Sequence, residues 1–420
     1  MFQKIQVRNR WKFLFKPWEE ADPWLFAACI GLTFFAGIMI RSVELNQGLI
    51  DWWRHWVTGA VGLVLAIIIS RCRYEILIEW KWPIYIIINL SLIAVRFIGT
   101  TGLGAQRWIN IGGFYLQPSE FAKIGTIVTL AALLQATPTP TVRDMLRMLA
   151  IVAVPWGLVF AEPNLGTSLV FGAITIGMFY WGNVNPGWLI LLFSPLISVL
   201  LNNVSAPIWI GWVILAGIIG WRTLPWPWLG TVGTVAVNVV SGHVGQVFWG
   251  LLKDYQKMRL TGFLNPEKDP LGSGYHLIQS RIAIGAGELK GRGLFHGTQT
   301  QLNFIPEQHT DFIFSAIGEE LGFIGCIAVL FVFWVICFRL VIIAQTANDN
   351  FGSLLAIGVL SMLIFQVFVN IGMNIGLAPV TGIPLPFLSY GNASLLSNFI
   401  GLGLVESVAN RRQRKKMWNR

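Results

Sequence analysis

The stretch FIFSAIGEELGFIGCIAVLFVFWVICF, Phe312–Phe338, decides the fold. It exceeds the roughly 20 apolar residues that carry a helix across a bilayer. Glu319 and Glu320 are its only charged side chains. A helix that is apolar all round finds no place on the surface of a water-soluble protein. Moving outward, similar runs lie near 351–375 and 393–409 on the C-terminal side. On the N-terminal side they lie near 24–40, 55–70, 82–99, 119–135, 146–161, 166–182, 186–202, 207–221 and 227–252. The expected fold is all-α: a polytopic integral membrane bundle of about 12 transmembrane helices.

Composition agrees with a bilayer as solvent. Of 420 residues, 55% are hydrophobic and only 12% charged; the mean hydropathy is +0.63. Soluble domains carry about twice that charged fraction. The 20 tryptophans suit headgroup-level anchoring. A net charge of +10 raises the question of nucleic acid. The basic residues gather at span ends and termini, so no nucleic-acid partner is expected. Cys29, Cys72, Cys326 and Cys337 lie in or beside apolar runs with no metal-type spacing, and no disulfide framework is implied. The first apolar run ends in GIMIRSVE, without a small-residue cleavage site, so it is expected to remain as a span.

Residues 1–22 form a basic, aromatic-interleaved N-terminus, read either as an amphipathic segment on the inner leaflet or as a solvated tail. Residues 23–410 are the membrane domain, with a large loop at 253–311, and 411–420 are a basic tail. With both termini cytoplasmic, the cytoplasmic segments hold 18 of the 30 Lys and Arg residues. The 253–311 loop, with seven basic and six acidic residues, is nearly neutral. That asymmetry satisfies the positive-inside rule. It places the polar, Gly-rich connections together on the outer face.

Four such stretches carry candidate chemistry. In GAQRWINIGGFYLQPSEFAKIG, Gly104–Gly125, Arg107 and Trp108 sit in a Gly-rich loop, and Gln117, Pro118, Ser119 and Glu120 open a span. Pro, Ser and Glu at a helix start can be plain capping. Lys123 is different, because an ionisable residue inside a span is costly and a functional candidate by default. It pairs with Glu120 at i, i+3, or acts with Arg107 on a diphosphate. In AEPNLGTSLV, Ala161–Val170, Glu162 and Asn164 flank Pro163, either as a charged site or as an ordinary turn.

The third stretch runs from Asp269 to Gly325. The chain enters a span at Asp311, and Asp311, Ser315 and Glu319 follow at i, i+4 and i+8, on one helix face. An N-cap role for Asp311, and buried hydrogen bonds for Glu319 and Glu320, are the structural alternatives. His276, His296 and His309 match no standard metal spacing. The fourth stretch, Asn370–Asn398, places Asn370 and Asn374 on one face, followed by a Pro/Gly-rich loop through Ser389 and Tyr390. This loop re-enters the bundle or simply joins two spans.

These stretches resemble the SEDS family (RodA/FtsW), whose members act in shape, elongation, division and sporulation. The motifs are GAQRW, QPSEFAK, PEQHTDFIF with GEELG, and GIPLPFLSYG, in family order across residues 20–410. DPLGSGYHLIQS, HGTQTQLNFIPEQHTDF and GTSL are closer to RodA than to FtsW. The resemblance implies a peptidoglycan glycosyltransferase that consumes lipid II and a lipid-linked glycan. A class B penicillin-binding protein would be the partner transpeptidase, alongside other elongation-complex membrane proteins. The setting implied is the plasma (inner) membrane, with the active site extracytoplasmic. The family's essential carboxylate falls on Asp311. Substrate contacts fall on Arg107, Trp108, Glu120, Lys123, Gln279, Ser280, His309, Glu319 and Ser389. No cofactor is fixed, and a divalent cation (Mg or Mn) would suit the diphosphate.

The sequence departs from the family at Asn164, where the motif has Asp, at Asn303, and at Asn392. It is also long enough for two spans beyond the family's ten, expected within 186–252. The competing reading is a flippase for lipid-linked precursor, with Lys123, Glu319, Glu320, Asn370 and Asn374 lining a path. A non-catalytic scaffold is the third.

Overall fold

The computed structural model describes residues 21–45, 51–102, 105–112, 114–162, 164–224, 226–251, 262–263, 266–268, 274–302, 304–305 and 307–412. Residues 1–20, most of the tail and Asn303 lie outside the described residues. The chain opens with α1 (Pro23–Glu44), α2 (Asp51–Arg71), the short α3 (Ile76–Glu79) and α4 (Lys81–Ile98). A three-stranded antiparallel meander follows, β1 (Thr100–Gly102), β2 (Ala105–Ile111) and β3 (Phe114–Leu116), in the order β1-β2-β3. Next come α5 (Pro118–Ala136), α6 (Val142–Ala161), α7 (Leu165–Trp181), α8 (Pro186–Val204), α9 (Ala206–Thr223) and α10 (Pro227–Leu251). The chain ends with α11 (Tyr275–Ala286), α12 (Thr298–Gln301), α13 (Ile313–Thr346), α14 (Asn350–Ile375) and α15 (Asn392–Arg412).

Each of the twelve expected spans coincides with a helix. Eight of these helices, α1, α2, α4, α6, α8, α9, α13 and α14, are long and apolar enough to cross a membrane. Two of the others lie at the centre of the bundle. Nearly every residue of α5 and α15 is buried by neighbouring helices, so their surroundings are protein rather than lipid. That is why α5 tolerates Glu120 and Lys123, and α15 tolerates Glu406.

The helix ends sort into two groups. At one end, Arg339 is held by the buried carboxylate of Asp22, whose N–H donates to Glu406 Oε2 at 3.1 Å. Tyr74 donates to Asp349 Oδ1 at 3.1 Å, and Arg411 Nη1 meets Glu75 Oε2 at 2.6 Å. This end carries Arg71, Arg73, Lys81, Arg143, Arg147 and Arg222. The other end carries the sheet, α11, α12 and every candidate motif.

α8, α9 and α10 pack mainly on one another and join the main bundle where α8 meets α7. A polar seam binds them. Asn238 Nδ2 donates to Ser194 Oγ at 2.7 Å, Ser198 Oγ to Asn238 O at 2.7 Å, and Trp209 Nε1 to Ser198 Oγ at 2.6 Å. Interhelical bonds of this kind are worth about 0.6 kcal/mol each.

The sequence reading needs three corrections. The meander gives β2, not an irregular loop, the task of carrying Arg107 and Trp108. The 253–311 loop contains α11, which packs into the bundle against α13 and α14. And α13 begins at Ile313, with Phe312 as its N-cap residue. Asp311 is therefore neither an N-cap nor on one helical face with Ser315 and Glu319.

α13 is also broken at Gly322, whose φ of 66° and ψ of −164° are non-helical. The backbone groups freed there must find partners inside the protein. The segment after α11 supplies them. Arg292 and Gly293 N–H donate to the Glu319 and Glu320 carbonyls at 3.0 and 2.9 Å. Phe323 and Ile324 N–H donate to the Glu288 and Leu289 carbonyls at 2.9 and 3.2 Å. Gly291, at φ 78°, lies so close that a Cβ would meet Glu320 O at 2.1 Å.

Candidate active site

Asp311 sits in a tight turn just ahead of α13. The N–H groups of Thr310, Asp311 and Phe312 converge on the Glu307 carbonyl at 3.2, 3.0 and 3.3 Å. From the bundle side, Asn370 and Asn374 of α14 donate their side-chain amides to the Asp311 carbonyl at 3.0 and 3.1 Å. Their i, i+4 spacing places both on one face. Asn370 also donates to Ile383 O at 2.8 Å, and Ser280 Oγ of α11 to Asn374 O at 2.8 Å. Bonds to its backbone thus fix the Asp311 main chain, and among the described residues its carboxylate is uncommitted.

That carboxylate faces Gly382. A Cβ there would lie 3.4 Å from Asp311 Oδ2, and the φ of 69° already favours glycine. Burial pushes the Asp311 carboxyl up to about 7, with the nearby Glu307 charge adding to the effect.

The loop between α14 and α15 returns to this turn. The Ser389 hydroxyl accepts the Leu385 N–H at 2.7 Å, which spends it on shaping the loop. Tyr390 N–H donates to the His309 carbonyl at 2.9 Å, and the two rings lie 5.8 Å apart. Tyr390 OH donates to Asp51 Oδ1 of α2 at 3.2 Å. Burial lowers the His309 imidazole, against the opposing pull of Glu307 and Asp51.

The same loop reaches the second motif. A Cβ on Gly166, in the first turn of α7, would meet Thr381 O at 2.5 Å. Asn164 caps α7 by accepting Thr167 N–H at 3.3 Å, which is the structural alternative for this position. Glu162 faces the meander. Arg107 Nε donates to the Glu162 carbonyl at 3.2 Å, and burial pushes the Glu162 carboxyl up to about 7 against the guanidinium's pull. Asp311, Gly382, Gly166, Glu162 and Arg107 are thus linked in one succession of neighbours.

The other expected site residues have different surroundings. Lys123 Nζ and Glu120 Oε2 form a 2.7 Å ion pair, at 1% and 3% exposure, with Ser397 Oγ 3.4 Å from the same oxygen. Lys123 is a paired cation. The Glu319 carboxylate is fully committed to the N-terminus of α12. It accepts from Gln299 N–H at 2.7 Å, Thr300 N–H at 2.9 Å, Thr300 Oγ1 at 2.6 Å and Thr298 Oγ1 at 3.2 Å. Such charge-assisted bonds contribute roughly 1.5–3 kcal/mol each. Glu319 is therefore an anchor for α12 and does not face Asp311. Glu320 accepts from Ser42 Oγ at 2.5 Å. Trp108 is half-buried on β2, and Gln279 is half-buried on α11 beside Ser280.

Sequence reasoning missed Asp51 and the anchoring of the Asp311 backbone by Asn370 and Asn374. The asparagine pair was visible as a shared face, but its target was not. Among the described residues, no three His, Cys, Asp or Glu side chains converge on a metal-sized point.

The comparisons with known proteins agree with this architecture. The family model for FtsW, RodA and SpoVE, described as cell cycle protein, matches residues 23–216 and 186–414. The two matches overlap across α8 and part of α9. The peptidoglycan glycosyltransferase MrdB of Escherichia coli is 34% identical over 399 residues, 94% of this chain and 96% of that protein. The peptidoglycan glycosyltransferase RodA of Treponema pallidum is 33% identical, covering 94% and 98%. A chain in a solved peptidoglycan synthase complex, described as coordinating polymerization and crosslinking, superposes with a TM-score of 0.71 at 26% identity, covering 94% and 99%. Thermus thermophilus RodA shares the fold, with a TM-score of 0.61. From its apolar helices, its motifs and these matches, the chain is a multi-pass membrane protein and belongs to the FtsW/RodA/SpoVE family.

Proposed function

We propose that this protein polymerises peptidoglycan glycan strands from lipid II during cell elongation, releasing undecaprenyl diphosphate. A sugar 4-hydroxyl attacks the anomeric carbon of the lipid-linked donor. The hydroxyl proton passes to Asp311, the anomeric C–O bond to the diphosphate breaks, and the configuration inverts. The observation that carries this reading is the Asp311 carboxylate. It is free of internal partners among the described residues, its backbone is held from two sides, and its proton affinity lies near neutrality. A general base works best when its pKa lies near the working pH.

The departing diphosphate needs positive charge. Arg107 supports this role, since its guanidinium stands between the meander and Glu162 at the same end of the bundle. Lys123 contributes through its pair with Glu120, as a fixed dipole rather than a lone cation. Trp108, Gln279 and His309 flank the same region and are proposed substrate contacts. Ser280 and Ser389 act by holding the backbone around them. Chelation followed by Mg or Mn addition tests whether a divalent cation helps to neutralise the departing diphosphate.

The Lys and Arg distribution supports an extracytoplasmic active site in the plasma membrane. The synthase complex of the structural relative supports a class B penicillin-binding protein as partner, with other elongation-complex membrane proteins around it. A flippase finds less support, because the residues that would line its path are committed. Lys123 is held by Glu120, Glu319 by α12, Glu320 by Ser42, and Asn370 and Asn374 by the Asp311 carbonyl. The test is polymerisation of labelled lipid II by purified protein, wild type against Asp311→Asn. Loss of glycan product in the folded variant is expected, and near wild-type synthesis overturns the assignment.

A further inference from the structure

The Asp311 turn is anchored on two sides. Asn370 and Asn374 hold it from α14. On the opposite side, Tyr390 N–H donates to the His309 carbonyl at 2.9 Å, two residues before Asp311. Tyr390 lies near the end of a loop with no regular secondary structure, so its backbone needs its own restraint. Its side chain provides one. The hydroxyl donates to Asp51 Oδ1 at 3.2 Å, and Arg54 reaches the same hydroxyl.

Asp51 is itself fixed. It is the first residue of α2; its N–H and that of Trp52 donate to Glu44 Oε2 at 3.1 Å each, and Arg54 Nη1 meets its Oδ1 at 3.2 Å. About two turns further along α2, Thr58 Oγ1 donates to Asn392 Oδ1 at 3.1 Å, beyond Tyr390 in the sequence. The first turns of α2 therefore grip the chain at Tyr390 and again two residues beyond it. The resulting line of force runs from α2 through Asp51, Tyr390 and the His309 carbonyl to the Asp311 turn.

We propose that Asp51 and Tyr390 form a positioning pair, which sets the placement of the Asp311 carboxylate from the α2 side of the site. Neither residue touches the reacting atoms; both act through the His309 backbone. The pair deepens the reading of Asp311 as the base and rests on it. A displacement of about 1 Å in a reacting group costs up to about 100-fold in rate. The ionised acceptor makes this hydrogen bond stronger than a neutral one.

The test uses the full-length protein, purified and assayed on lipid II, with Tyr390→Phe, Asp51→Asn and the double variant. Tyr390→Phe keeps the ring against His309 and removes only the hydroxyl. Its kcat should fall by about tenfold or more, and by a larger factor than any rise in KM, because the base is misplaced while Arg107, Trp108 and Gln279 keep their places. Asp51→Asn should lower kcat in the same way, and the double variant should be no slower than the slower single one. A thermal midpoint unchanged in Tyr390→Phe separates positioning from loss of fold. The proposal is overturned if Tyr390→Phe retains kcat within twofold. It is also overturned if the two substitutions multiply, or if KM alone rises. Asp311→Asn run alongside separates the two claims. If that variant is inactive while Tyr390→Phe is normal, positioning alone fails. If Asp311→Asn polymerises normally, the base assignment itself fails.

Discussion

The proton affinity of Asp311 makes the base assignment testable without any substitution. An ordinary aspartate loses its proton near 3.8, whereas burial, reinforced by Glu307, pushes this one up to about 7. The base acts in its ionised form, so activity should be full at about pH 8 and fall as the pH drops through 7. At pH 6 about a tenth of the sites remain ionised, and each further unit removes about another factor of ten. The quantity to measure is kcat/KM for lipid II between pH 5.5 and 8.5, because it reports groups in the free enzyme. Glu307→Gln should move the acid limb toward lower pH, and only modestly, since Glu307 is exposed and salt screens its charge. Asp311→Asn should remove the limb along with about 10²–10⁴-fold of the rate. That loss cannot come from unfolding. The native state holds the Asp311 proton more tightly than the unfolded chain, so this group's contribution to stability falls as pH rises from about 4 to 7. The neutral Asn therefore melts no lower than wild type at pH 8. A pH profile flat down to 5.5, or with a midpoint near 4, refutes both the buried-carboxylate argument and the assignment.

Lys123→Met leaves the Glu120 carboxylate buried and unpaired, at a cost of about 3–5 kcal/mol. Its thermal midpoint should drop, and adding Glu120→Gln should restore the fold, as followed by detergent-solution melting. Asn164→Ala removes the α7 cap and should cost about 1 kcal/mol with little change in turnover. Glu162→Gln should lower turnover instead, because it removes the charge facing Arg107, and Asn164→Asp should partly restore it. A silent Glu162→Gln would mean that the family's carboxylate is dispensable in this chain. Single cysteines at Asn203 and Thr223, in a background lacking Cys29, Cys72, Cys326 and Cys337, should label from opposite sides, since α9 between them spans about 27 Å at 1.5 Å per residue. Labelling from one side would remove α9 from the set of spans.

The sequence by itself determined where the apolar helices lie along the chain, because a membrane helix is a local property. About 20 apolar residues and a basic flank suffice to define one, whatever its neighbours. All twelve runs became helices for that reason, and the Asn164 cap was legible because its partner, Thr167, stands three residues away. Tertiary structure decided which polar residues are free. Glu319 and Asp311 look equivalent in the motif, yet Glu319 is consumed by α12, some 20 residues earlier in the chain. Asp311 has only its backbone tied down, by Asn374 from 63 residues away. Asp51 carries no local signal at all, and its meaning comes from Tyr390, 339 residues distant. The break at Gly322 was equally hidden, because a glycine within an apolar run reads as helix until the partners of its freed backbone are known. Inside a low-dielectric bundle, a buried carboxylate either finds a partner, as Glu319 does, or holds its proton more tightly, as Asp311 does, and a freed backbone group must be satisfied within the protein. Which partner it finds depends on packing between helices far apart in sequence, and no local pattern encodes that.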